Sequence, residues 1–271
     1  MGHRQNAKRS IVTGGMPAHR RRVTVCLRGG RATDGRDRDL VAVLSKTSGT
    51  PVAAFGGAGS GSYAAFVLRR IEAAGGAQRF AGLLNDTVAA GASIGGDTVL
   101  GPFDAWSSLP PDTMFLAPLQ KPKLTHARVM RFAGLRIPDA RWASVVDPAA
   151  IVAPDCSVGH GAFVAPHAVL MPACRIGRHV AVRQGVTVAH NVTVGDWCMF
   201  AANSAIGGYA SIGDGSFVGL GAVVRDNVAV GRFAVIGMGA VVTRDVPDFT
   251  IVAGNPARII GDVDTTVGEQ S

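Results

Sequence analysis

"VGDWCMFAANSAIGGYASIGDGSFVGLGAV" (194–223) decides the fold. Cut every six residues, it gives VGDWCM, FAANSA, IGGYAS, IGDGSF and VGLGAV. Each hexad opens on a large apolar residue and carries a small one in fifth place. The register runs in both directions without an insertion, from Val146 to Pro247, 17 hexads in all. Val, Ile, Leu or Phe holds every first position, and Ala, Ser, Cys or Val every fifth. Gly holds the second in eight. An α-helix cannot use this pattern, because its apolar face recurs every 3.6 residues. Short strands joined by tight corners can. One apolar side chain per hexad fills the centre, the small residue fits the crowded corner, and the second-position glycine is expected to relieve backbone strain. Three hexads then close a triangular coil of 18 residues. Coils stacked at about 4.8 Å make a prism roughly 27 Å long.

The rest of the 271 residues leave room for a second, smaller domain upstream. The composition is 47% hydrophobic but only 6% aromatic, a core of Val, Ala and Ile that favours strands. No apolar run is long enough for a membrane span. The net charge of +8 sits entirely in residues 1–50, where 11 Lys/Arg face 3 Asp. Residues 51–271 carry 16 of each sign, which argues against nucleic acid as a partner. A basic tail could hold nucleic acid or an anionic membrane. Its lack of periodicity points instead to a disordered extension, or to sequence upstream of a later start such as Met16. "RRRVTVCL" (20–27) has too short an apolar run for a signal peptide. Cys26, Cys156, Cys174 and Cys198 follow no zinc spacing, so a cytoplasmic chain with reduced thiols and no metal is expected.

Positions 18 apart share a column of the prism. One column runs Pro154, Pro172, His190, Gly208, Asp226, Arg244. Neither Pro172 nor Gly208 would crowd an imidazole, so His190 is expected to project outward with space around it. It is a candidate general base, with a solvated surface histidine as the plain alternative. His160, His167 and His179 fall in other columns and read as surface residues, as do His3, His19 and His126. Upstream, "TPVAAFGGAGSGSYAAFVLRRIEAAGG" (50–76) reads as a strand over 52–55, a turn through Gly56, Gly59 and Gly61, and a helix from Ala64 to Ala74. A helix start after such a turn can hold a phosphate; a tight strand–helix corner is the alternative.

The repeat resembles the hexapeptide-repeat acyltransferases, and "GNPAR" (254–258) resembles their closing G-x-P-A-[KR] signature. "TVAHNVTVGD" (187–196) is similar to the stretch that carries the catalytic histidine in the NeuD/PglD-like family, the sialic-acid O-acetyltransferases and UDP-amino-sugar N-acetyltransferases. The resemblance spans about residues 51–260. It implies a Rossmann-like α/β substrate domain (51–144) followed by a left-handed parallel β-helix (145–260) and a C-terminal tail (261–271). It implies a homotrimer with acetyl-CoA in the groove between subunits. His190 would be the base and Gly208 would lie near the thioester. Leu220, Met238, Gly237 and Gly239 would line the pantetheine path. Gly56, Gly59, Ser60 and Gly61 would bind a UDP-linked sugar, with Asn85 and Asp86 of "FAGLLND" (80–86) near the base. "DTMFLAPL" (112–119) would be a later strand of that domain.

Four positions depart from the family pattern. Asn191 follows the base where an acid is frequent. Met199 stands where a second histidine often contacts the donor. Asp147 replaces the histidine that enters the β-helix, and "APLQ" (117–120) lacks a glycine. Two other readings follow from these departures: an acetyltransferase for a small amine or alcohol, and a non-catalytic β-helix platform.

Overall fold

The six-residue period is built as two-residue strands separated by four-residue corners. The computed structural model describes residues 49–118 and 125–265. The basic extension lies outside them, as does Cys26. From Val145 onward, strands stack in three parallel sheets. The first face holds the pairs 145–146, 163–164, 181–182, 199–200, 217–218 and 235–236; the second holds 151–152 through 241–242; the third 157–158 through 229–230. Register is a strict 18 residues: Val169 pairs Thr187, Thr187 pairs Ala205 and Ala205 pairs Val223. The result is a parallel β-helix, consistent with the left-handed form.

First-position residues fill the axis. Leu170, Val188, Ile206, Val224 and Val242 are buried in one column, and Val182, Phe200, Val218 and Ile236 in another. Fifth-position residues such as Cys174, Val192, Ala210 and Ala234 pack between them. The structure corrects the role of the second-position glycines. They are not where the backbone strains. The positive φ falls on the fourth position of every hexad from Val158 to Val241, whether Gly161, His179, Asn191, Trp197 or Tyr209. The second-position glycines instead give clearance: a Cβ on Gly177 would stand 2.6 Å from the Gly195 carbonyl carbon one coil above.

Ahead of the prism, β1 (Thr50–Phe55), β2 (Gln78–Leu84), β3 (Ser93–Ile94), β4 (Asp97–Gly101) and β5 (Met114–Leu116) form one sheet in the order β3-β4-β2-β1-β5. All pairs are parallel except the β3–β4 hairpin. α1 (Ser60–Ala73) buries Ala64, Val67, Leu68 and Ile71 on this sheet, and α2 (Thr125–Gly134) buries Phe132. α1 starts four residues before the sequence-based boundary. Gly61 permits this, since a Cβ there would lie 2.8 Å from Leu83 and 3.0 Å from the Gly56 carbonyl carbon.

The sheet docks on the first face of the prism. Phe163 and Ala165 share a core with Val52, Leu68 and Leu116. Asp147, buried, takes two hydrogen bonds from Arg70 of α1, at 2.7 and 3.2 Å, and a third from the Ala149 N–H. This ion pair ties α1 to the first coil.

Candidate functional site

His190 sits on the edge of the prism that follows the second face. Its ring is exposed and its neighbours are few. Asn191 Oδ1 lies 3.1 Å from Nδ1, and Tyr209 meets the ring edge-to-face at 5.0 Å. A carboxamide oxygen only accepts, so this contact favours the neutral tautomer with the hydrogen on Nδ1 and the lone pair on Nε2. Asn191 reaches the ring because it turns back at φ 60°, a conformation asparagine tolerates. The adjacent residue thus orients the ring. The ring lies against Gly208, where a Cβ would stand 3.0 Å from Cε1 and 3.1 Å from Nε2, so it fits there because 208 is glycine.

Carboxylates at the third position hold backbone N–H groups one coil below. Asp196 accepts from Arg178, Asp214 from Asp196 and Asp226 from Gly208, each at 2.7 Å. The Gly208 N–H is therefore occupied by Asp226, and Gly208 offers clearance rather than an oxyanion donor.

Leu220 and Met238 follow one another in a single column on a different edge, the one after the first face. They are 53% and 76% exposed, a costly arrangement for large apolar side chains unless something covers them. Gly239 donates its N–H to Leu220 O, and Gly237 approaches Ala253 too closely for a side chain. Lower on the same edge stand Arg183 and Gln184. The intervening face presents Ile151, Val169, Thr187, Ala205, Val223 and Val241 outward, with Ile151 64% and Val223 41% exposed.

The glycine turn lies between β1 and α1. Gly59 caps α1 without a side-chain hydrogen bond, and no acid occupies its first turn. Asn85 and Asp86 come next to this turn but are engaged. Asn85 donates to Gly56 O at 3.1 Å and accepts from the Thr87 and Val88 N–H groups at 2.9 Å. Asp86 accepts from the Phe103 N–H at 2.7 Å and faces Arg131 at 3.3 Å. Sequence reasoning missed Arg183, which reaches from the prism to Ser60, and Tyr63, which bonds Gln184 at 2.9 Å. The signal available was an arginine at a second position otherwise favouring glycine.

The expectation of surface histidines fails at His179. It is buried at 6% exposure, stacked on Trp197 at 3.9 Å and edge-on to Trp142 at 4.6 Å. Burial, with Arg178 beside it, pushes its pKa down to about 3. The unfolded chain takes up this proton near pH 6.5, whereas the folded one resists until about pH 3. Stability is therefore full above pH 6.5 and declines as pH falls toward 3, by up to about 1.4 kcal/mol per pH unit from this group. Melting curves from pH 7 to 4 should show a shallower loss in His179→Gln than in wild type. His126 is likewise half-buried, edge-on to Phe233 at 5.1 Å.

Cys156, Cys174 and Cys198 are free thiols, and burial pushes Cys198 up to about 12. Among the described residues, no group of three or more His, Cys, Asp or Glu could hold a metal, and no helix is long and apolar enough to cross a membrane.

No family model matches the chain, and no curated protein matches it in sequence. Solved structures do. The acetyltransferase domain of PglB from Neisseria gonorrhoeae superposes with a TM-score of 0.68 at 25% identity, over 78% of this chain and 100% of that one. That protein has also been solved with acetyl coenzyme A. A histidine-to-alanine variant of GDP-perosamine N-acetyl transferase from Caulobacter crescentus, in complex with CoA and GDP-perosamine, gives 0.66 at 27% identity, over 78% and 97%. WeeI from Acinetobacter baumannii gives 0.66 at 25%, over 77% and 99%. The structures similar to this chain thus include sugar N-acetyltransferases that bind acetyl-CoA or CoA.

Proposed function

We propose that this protein is an acetyl-CoA-dependent acetyltransferase acting on an amino or hydroxyl group of a nucleotide-linked sugar. The observation that carries the reading is His190: an exposed imidazole whose Nδ1 meets Asn191 and whose ring rests against Gly208. His190 takes the proton of the acceptor as its nitrogen or oxygen attacks the thioester carbonyl. The new C–N or C–O bond forms, the C–S bond breaks, and coenzyme A leaves as the thiol. No covalent enzyme intermediate and no metal take part. The sheet of β1–β5 is read as a Rossmann-like domain, whose glycine turn at Gly56, Gly59, Ser60 and Gly61 receives the nucleotide. The complexes of the similar solved structures with CoA and GDP-perosamine support this.

Two exposed rows suggest how the donor is held. Leu220 and Met238 occupy one edge of the prism and His190 the next. In a threefold assembly the donor edge of one copy faces the His190 edge of its neighbour, and the apolar face between them is covered. Ile151→Asp combined with Val223→Asp should run as a monomer by light scattering and lose turnover. A double variant that stays trimeric and active would place the interface elsewhere.

The test of function is release of free thiol from acetyl-CoA against a panel of UDP- and GDP-linked amino sugars. Release with one nucleotide sugar, but not with the corresponding free sugar, supports the reading. A second reading has its own observation: the polar atoms of Asn85 and Asp86 are engaged within the protein. On that reading the first domain only packs, and the acceptor is a small amine or alcohol. Turnover with such an acceptor and with no nucleotide sugar would select it. Failure to bind acetyl-CoA would leave a non-catalytic platform.

A further inference from the structure

Arg183 leaves the prism at the corner beneath the glycine turn. Its guanidinium lies over the Tyr63 ring at 4.9 Å and near Phe163 at 5.8 Å. One terminal nitrogen reaches Ser60 Oγ at 3.2 Å and Pro118 O at 3.4 Å. Both are neutral acceptors at long range. The other nitrogens make no hydrogen bond to the described residues, and no described carboxylate pairs with the group. Burial pushes its pKa down, with only Tyr63 acting the other way. A guanidinium withdrawn from water without a counter-charge is costly, and interiors normally avoid it. Nothing nearby in sequence supplies the charge, since "APLQKPKL" (117–124) contains two lysines and no acid. Arg69, Arg70, Arg131, Arg178 and Arg232, by contrast, each meet an aspartate. Across the gap, the first turn of α1 is uncapped and free of acids.

We propose that Arg183 binds the diphosphate of the nucleotide-linked substrate, completing from the β-helix an anion site whose other wall is the glycine turn. The assignment rests on the nucleotide-sugar reading above and adds the residue that recognises the phosphates. It explains how the turn can bind a nucleotide although Asn85 and Asp86 are engaged. Arginine suits the task because its planar fork meets two phosphate oxygens at once. The position also links the two substrates. Gln184, the next residue, shares a column with Ala202, Leu220 and Met238, so a diphosphate fixed at Arg183 stands on the same edge as the proposed donor row.

Calorimetric titration of UDP, GDP, uridine and guanosine into wild type, Arg183→Gln and Arg183→Lys tests this. Wild type should bind one of the diphosphates more tightly than its nucleoside. Arg183→Gln should weaken that diphosphate at least about tenfold and leave the nucleoside unchanged. The KM for the nucleotide sugar should rise while the KM for acetyl-CoA stays, a split that a packing role would not produce. Equal diphosphate affinity in Arg183→Gln and wild type overturns the assignment alone. Absence of diphosphate binding in wild type removes the nucleotide reading and this assignment with it. Should Arg183→Gln fail to fold, Arg183→Lys carries the test, since it keeps the charge and loses the fork. Weakened diphosphate with unchanged nucleoside then supports the assignment, and unchanged diphosphate overturns it.

Discussion

His190→Ala should keep the wild-type melting profile and lose at least about 10²-fold in acetyl-CoA turnover. The fold survives because the exposed ring contributes little to packing. Its contacts are Asn191, Tyr209 and the side-chain-free surface of Gly208. The turnover should fall because the imidazole proposed to take the proton is gone, and the Asn191 carboxamide beside it is not a base at neutral pH. Met199 is buried and cannot accept a proton. The loss should appear in kcat rather than in the KM for acetyl-CoA, since the donor row of Leu220 and Met238 is untouched. Thiol-release kinetics check both, and full activity in the variant would remove His190 from the chemistry.

Phe200→Ala should have the largest effect on stability, about 3–5 kcal/mol. Phe200 is fully buried on the axis, where most other first positions carry Val or Ile. Its ring lies between Val182 below and Val218 above, in register through the ladder. A core made of stacked coils collapses poorly around a lost ring. Closing the cavity would require one coil to leave its hydrogen bonds with the next. Urea unfolding should show a lower midpoint with an unchanged slope, while His190 stays in place and low-temperature turnover survives. A midpoint near wild type would mean that the axis repacks more freely than the ladder suggests.

The prism was legible in the sequence because one rule repeats in every hexad, so each position is tested many times over. The same rule concealed the corners. Its fourth position accepts His, Asn, Trp, Tyr and Phe at positive φ, and no composition signal marks a site that tolerates so many side chains. His190 could be picked out from its column, but its partner could not. Columns relate residues 18 apart, whereas Asn191 is the next residue and reaches back only because of its left-handed turn. His179 was misplaced for a related reason. Its column says nothing of Trp142, which arrives from the linker before the first coil and buries the ring. In the upstream domain the strand, turn and helix were visible. The β3–β4 hairpin and α2 were not, because each is short and lacks a repeated partner in sequence. Arg183 needed both domains at once, and only the folded chain sets it beside Ser60.

The chain's closing segment has a consequence for solubility. A stack of parallel strands is open-ended by nature, and an open end is a template on which another molecule can add, coil upon coil, into a fibre. Here the last turn shortens, so that Val235 pairs Ile251, 16 residues on. Arg258–Asp262 then lies antiparallel against Thr250–Ala253. Gly254 and Ala257 hydrogen-bond Val241, and Asp245 takes the N–H of Ala229, so the upper rims of the other two faces are engaged as well. The GNPAR segment thus works as an end cap. It ends the ladder with a strand of the wrong direction for propagation, and a protein built from a repeat that could extend without limit stays a discrete particle.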